Sequence, residues 1–158
     1  MIDIRTADFD PGEAARALEA DAPRVGAICS FTGLAREYGD RDDVQSLFLE
    51  HYPGMTESAI QAIVEEAAQR WSLLRPHIIH RVGRIEPGER IVFVGISSSH
   101  RRDAFEACQF IMDYLKTRAP FWKKEITPEG SHWVEQKDSD QAAAERWQSG
   151  ETDQDSRA

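Results

Sequence analysis

The sequence predicts an α+β fold, a mixed sheet with packed helices, on two observations. β-Leaning runs alternate with runs of helical period along the chain. One pair of β-leaning runs is joined by Glu86-Pro87-Gly88-Glu89, a hairpin signal that breaks a strictly parallel pattern.

The elements follow in order. Ile2 to Arg5 reads as a short strand. Asp10-Pro11 supplies an N-cap and a first-turn proline for a helix running to about Ala20. Val25 to Phe31 is an apolar, β-leaning run closed by Thr32-Gly33, and the polar stretch LAREYGDRDD after it reads as a mobile loop. Val44 to His51 is a further strand. Pro53-Gly54 then turns the chain into a helix capped near Thr56, with Ile60, Ile63, Val64, Ala67 and Trp71 at helical spacing. His77 to Ile85 and Arg90 to Ser97 are the hairpin arms. A helix from Arg101 to about Arg118 carries Phe105, Cys108, Ile111, Met112 and Leu115 on one stripe, and Pro120 ends it. A strand from His132 to Glu135 and a short helix from Ser139 to Trp147 complete the set.

At 158 residues the chain is read as one domain over 1–147, with a polar, disordered tail over 148–158. No apolar run approaches the ~20 residues that span a bilayer, and the N-terminus lacks a signal peptide's basic flank and apolar core. The cytoplasm is therefore the expected location. Lys and Arg number 19 against 28 Asp and Glu, a net charge of −9, which disfavours broad binding to nucleic acid or an anionic membrane. An anionic ligand must be caught by a local cluster.

Several chemistries are weighed and set aside. His77 and His80 lie three apart in a strand and point to opposite faces, so they read as ordinary sheet residues rather than metal ligands. Gly95 to His100 (GISSSH) lacks the second glycine of a nucleophile elbow, and Ser98 or Ser99 is better read as a helix cap. Cys29 and Cys108 read as core residues. Neither Gly-rich phosphate signature is present. Metal and resident cofactor are both expected to be none.

Two cationic clusters remain. His100-Arg101-Arg102 opens a helix, where unpaired N–H groups favour an anion; solvated arginines are an equal alternative, and Asp103 could neutralise the turn alone. KTRAPFWKKE, residues 116–125, gathers Lys116, Arg118, Lys123 and Lys124 around Pro120, Phe121 and Trp122. Lys116 suits a helix C-terminus on dipole grounds alone. Lys123 and Lys124 read either as a solvated basic turn or as lysines suited to proton transfer. His100 and Lys116 are 16 residues apart on one helix, about 24 Å. If both serve one small ligand, the site is shared across a homodimer.

FTGLAR (31–36), LEHYPGMTE (49–57), VGRIEPGE (82–89), FVGISSSHR (93–101), FEACQFIMDYLKTRAPFWKKE (105–125) and WVE (133–135) resemble the family of large, catalytic subunits of molybdopterin synthase. The resemblance runs from about residue 25 to Trp147. It implies an α/β hammerhead-type fold and a sulfurtransferase of molybdenum cofactor biosynthesis. That enzyme converts cyclic pyranopterin monophosphate to molybdopterin by adding two dithiolene sulfurs. It implies as partner a small ubiquitin-like sulfur-carrier subunit with a C-terminal Gly-Gly thiocarboxylate, in a heterotetramer around a homodimer of large subunits. On this resemblance Lys116 and Lys123 are the catalytic residues. Arg36, His100 and Arg101 grip the substrate phosphate, lent by the neighbouring subunit, while Lys124 and Glu125 extend the substrate-binding set. Arg118 is either a supporting residue or a guide for the partner's tail. The alternatives are a dimeric anion- or nucleotide-binding module without catalysis, and an adaptor for a ubiquitin-like partner.

Overall fold

The computed structural model describes residues 1–37, 43–135 and 137–149. The centre of the expected mobile loop and nearly all of the expected polar tail lie outside them. The elements are β1 (Ile2–Arg5), α1 (Pro11–Ala17), β2 (Ala27–Leu34), β3 (Ser46–His51), α2 (Met55–Arg70), β4 (Arg75–Arg81), β5 (Gly83–Ile85), β6 (Arg90–Ser98), α3 (Arg101–Leu115), β7 (Phe121–Thr127), β8 (Gly130–Val134) and α4 (Asp138–Ser149). They form the expected α+β fold, with two sheets where one was expected. The first, in the order β1-β4-β6-β2, is mixed; the second, β5-β3-β7-β8, is antiparallel.

The hairpin arms do pair, with His77 opposite Gly95 and His80 opposite Val92. The first arm nevertheless divides. Gly83, at φ 84°, bends the chain so that Gly83–Ile85 leaves β4 and joins β3 in the second sheet. Gly88, at φ 87°, then turns it back into β6. β2 lies two to three residues further along than expected, so Gly33 and Leu34 belong to a strand rather than a loop. β7 is a strand where a basic turn had been one reading, because its cross-strand partners in β3 and β8 outweigh its charge.

Helix ends shift by a few residues. Asp10 caps α1, its carboxylate accepting from the Gly12 and Glu13 amides, but α1 ends at Ala17. Gly54, not Thr56, is the N-cap of α2; Glu57 reaches back to the Gly54 amide at 2.6 Å, while the Thr56 hydroxyl donates to Tyr52 O at 2.8 Å. The cap expected from Ser98 or Ser99 is absent from α3. His100 holds the N-cap position, Ser98 Oγ donates to Ser72 O, and Ser99 Oγ donates to Arg24 O. At the other end α3 stops at Leu115, with Lys116 as its C-cap.

The main core lies between the first sheet and α2 and α3, where Ile60, Ile63, Ile78, Ile96, Phe110 and Ile111 are all fully buried. α1 covers the opposite face through Leu18, against Ile79 and Phe93. A smaller core of Val44, Leu47, Leu49 and Ile85 backs the second sheet. Among the described residues no helix is long and apolar enough to cross a membrane.

Candidate active site

Where the C-terminal end of α3 meets the second sheet, the chain encloses a cleft of about 730 Å³. Apolar side chains, among them Leu49, Met112 and Phe121, line much of its wall. Arg36, Lys116 and Lys123 enter from three elements far apart in sequence. Arg36 follows β2, Lys116 caps α3, and Lys123 stands on β7 opposite Leu49 and Val134. At the rim, Glu135, Lys137 and Asp140 come from the segment entering α4. Four cations thus face two carboxylates, an excess of positive charge in a chain of net charge −9. Such a local field in a partly desolvated wall attracts a small anion.

Strand alternation sorts the KKE triplet of β7. Phe121, Lys123 and Glu125 share one face, and Trp122 and Lys124 the other. Lys124 does not line the cleft: its Nζ sits 4.4 Å from the centroid of the Trp133 ring. Glu125 is 1% exposed and does not line the cleft. Arg118 turns away to pair with Glu66 of α2 at 2.8 Å, over the Tyr114 ring.

His100 and Arg101 are at the opposite end of α3, exposed and outside the cleft. Arg36 therefore parts company with them; it joins the lysines of its own chain. β2, the edge of the first sheet, starts beside that far end, where Ile28 is exposed, and runs to the cleft, where the exposed Phe31 and Leu34 join the lining. Phe105, on α3 itself, is exposed too.

Two cleft residues escaped the sequence reading, Lys137 and His80. Nothing in WVEQKDSD marks Lys137 as more than a surface cation. For His80, alternation correctly separated it from His77, which is buried beneath α1 with Nδ1 3.3 Å from Ala14 O. Alternation alone gives no sign that the other face of β4 meets a cleft. The His80 ring stacks on Phe121 at 3.8 Å between centroids and 14° between planes. Burial pushes its pKa down to about 4, helped by the charges of Lys116 and His51.

The thiols offer no nucleophile at the cleft. Cys108 is buried and donates to Val94 O, and burial raises its pKa; Cys29 is partly buried and packs against the main core, as expected. Among the described residues no three His, Cys, Asp or Glu side chains are grouped as metal ligands.

Fold and cleft together define an α+β protein whose lysines converge on an anion-attracting pocket without a reactive cysteine. The model of the MoaE protein family matches residues 4–118. The chain is 58% identical over 147 residues to the molybdopterin synthase catalytic subunit of Pseudomonas aeruginosa, covering 93% of this chain and 98% of that one. It is 59% identical over 128 residues to the Escherichia coli protein of the same name, covering 81% and 85%. The solved structure of the molybdopterin biosynthesis MoaE protein from Burkholderia ambifaria superposes with a TM-score of 0.80 at 49% identity, covering 93% of this chain and 97% of that one. The chain belongs to the MoaE family, and it is an enzyme.

Proposed function

We propose that this chain carries out the molybdopterin synthase reaction of molybdenum cofactor biosynthesis, as a single domain over residues 1–147 working in the cytoplasm. Cyclic pyranopterin monophosphate becomes molybdopterin by gaining two dithiolene sulfurs. Each arrives as thiocarboxylate on the C-terminus of a small ubiquitin-like subunit. The name of the relatives, catalytic subunit, accords with a separate partner that brings the sulfur. The observation that carries the reading is the convergence of Lys116 and Lys123 on one cleft from α3 and β7.

In this mechanism the nucleophile is the partner's sulfur, so the enzyme needs no thiol of its own. Lys116 moves the proton and stabilises the anionic adduct as sulfur adds to the pterin side chain. Lys123 positions the substrate and the thiocarboxylate end. Arg36 grips the phosphate together with His100 and Arg101 of a neighbouring subunit. The separation of His100 from Lys116 along α3 supports a homodimer with shared sites. So does the unpaired, apolar edge of β2, a surface that favours association. Lys124 and Glu125, off the open cleft surface, act by supporting β7 and Lys123.

Single-turnover molybdopterin formation from cyclic pyranopterin monophosphate and thiocarboxylated partner tests the reading. Wild type forms product, and Lys116→Ala loses about 10²-fold or more with partner binding intact. An unimpaired Lys116→Ala moves the chemistry to Lys123 or another group. Absence of wild-type product despite confirmed partner binding favours an adaptor instead.

A further inference from the structure

His80 has no role in the reaction as described, yet its ring is buried and held by both a stack and a hydrogen bond. Its Nδ1 lies 2.8 Å from the carbonyl oxygen of Arg81. A carbonyl only accepts, so Nδ1 carries the hydrogen and Nε2 presents a lone pair. A half-turn of the ring would keep its stack on Phe121 but lose this hydrogen bond, so the bond fixes which edge faces outward. Among the described residues Nε2 has no hydrogen-bond partner.

The charged and titratable groups around the ring come from several elements. Lys116 arrives from α3 and His51 from β3, and Lys123 of β7 lines the same cleft, whereas the Arg81 side chain points away to Thr6 O and Glu89. No carboxylate is among those that act on it. A cationic imidazole there would face cations with little water to screen them, so the ring stays neutral. What it offers is a rigid acceptor, and Lys116 lines the same cleft close enough for its charge to bear on the ring.

We propose that His80 is a positioning residue: its Nε2 accepts a hydrogen bond from the Lys116 amine and holds that amine at the cleft wall for sulfur transfer. A lysine at a helix C-cap has a long flexible stem, and fixing it in advance removes an ordering cost from the reaction. The inference rests on the reaction proposed above only for its kinetic consequence. The contact between the two side chains stands apart from it.

Two variants separate positioning from packing. His80→Phe keeps a ring to stack on Phe121 and removes the acceptor; His80→Gln places an amide oxygen near the Nε2 position. Single-turnover molybdopterin formation is measured from about pH 6 to 9 with saturating thiocarboxylated partner. The expected result is a loss of about tenfold in His80→Phe, a changed pH–rate profile, and recovery of most of the loss in His80→Gln. A His80→Phe enzyme with wild-type rate and profile overturns the proposal. So does a loss with an unchanged profile that Gln does not restore, which is the signature of packing alone. The contact is also read without turnover, from the ¹⁵N resonance of His80 Nε2 in wild type and Lys116→Ala. A shift on removing the lysine supports the contact, and an unmoved resonance overturns it. Should wild type form no molybdopterin, this second measurement still decides the contact while the reaction assignment alone fails.

Discussion

Lys123 and Lys124 are neighbours in sequence and face opposite sides of β7. One opens into the cleft, and the other lies 4.4 Å over the Trp133 ring. Their substitutions should therefore differ in kind. Lys123→Ala is expected to lower single-turnover sulfur transfer by about 10²-fold or more, with the unfolding midpoint nearly unchanged. Lys124→Ala should stay within about threefold of wild-type turnover while losing about 0.5–1 kcal/mol of stability with its cation–π contact. Equal catalytic losses would place both lysines at the substrate and require β7 to twist on binding.

A shared site makes a prediction that single-chain sites cannot meet. His100→Ala and Lys116→Ala homodimers should each be nearly inactive. Unfolding and refolding them together in equal amounts should restore about a quarter of wild-type turnover, because half the dimers are mixed and each has one intact site. No recovery, with mixed dimers verified by mass, would confine the site to one chain and leave His100 outside it.

Much of this arrangement was legible in the sequence, and the exceptions have physical reasons. α2 and α3 were readable because their apolar stripes repeat at helical spacing against a single core. The KTRAPFWKKE cluster drew attention to Lys116 and Lys123, but Arg36 and the joining of all three were legible only through family resemblance, since no local pattern brings residues so distant in sequence to one cleft. β7 was hidden because Lys123, Lys124 and Glu125 mimic a solvated turn, and only pairing on both sides makes them a strand. The division of the first hairpin arm depends on which sheet Gly83–Ile85 joins, a tertiary choice with no periodic signature. His80 was dismissed for a related reason: alternation gives its side of β4, but Phe121 and Lys116 arrive there from far along the chain.

Stability should fall between neutral and mildly acidic pH. His80 is neutral when folded, with a pKa of about 4 against an ordinary 6.5. The unfolded chain therefore binds the proton first. The contribution is fully present above about pH 6.5 and is lost as pH falls towards 4, by up to roughly 3 kcal/mol. His77, also lowered by burial, acts in the same direction. Denaturant unfolding at several pH values should show a steep wild-type slope in this window and a shallower one in His80→Gln. Identical slopes would assign the acid sensitivity to other groups.

Ser46 is fully buried, and its Oγ has no hydrogen-bond partner among the described residues. Its place in β3, opposite Ile126, is set by backbone pairing that an alanine retains. Ser46→Ala removes a hydroxyl that has lost water without gaining a partner. It should be neutral or stabilising by about 1 kcal/mol in denaturant unfolding. A loss of more than about 1 kcal/mol would mean that the hydroxyl is satisfied in solution, with buried water the first group to seek.

Gly26 ties the sheet to the start of α3. Its amide donates to Ser98 O at 2.9 Å, and a Cβ at this position would collide with the backbone carbonyl of Ser99. Backbone cannot yield as a flexible side chain can, so Gly26→Ala must displace the turn that presents His100 and Arg101. The expected cost is about 1–3 kcal/mol in denaturant unfolding. Turnover should fall mainly through a raised KM for the phosphorylated substrate, since the lysines at the other end of α3 are undisturbed. If KM is unchanged while stability falls, that turn does not hold the phosphate, and the anion contacts pass to Arg36 and Lys137 within the cleft.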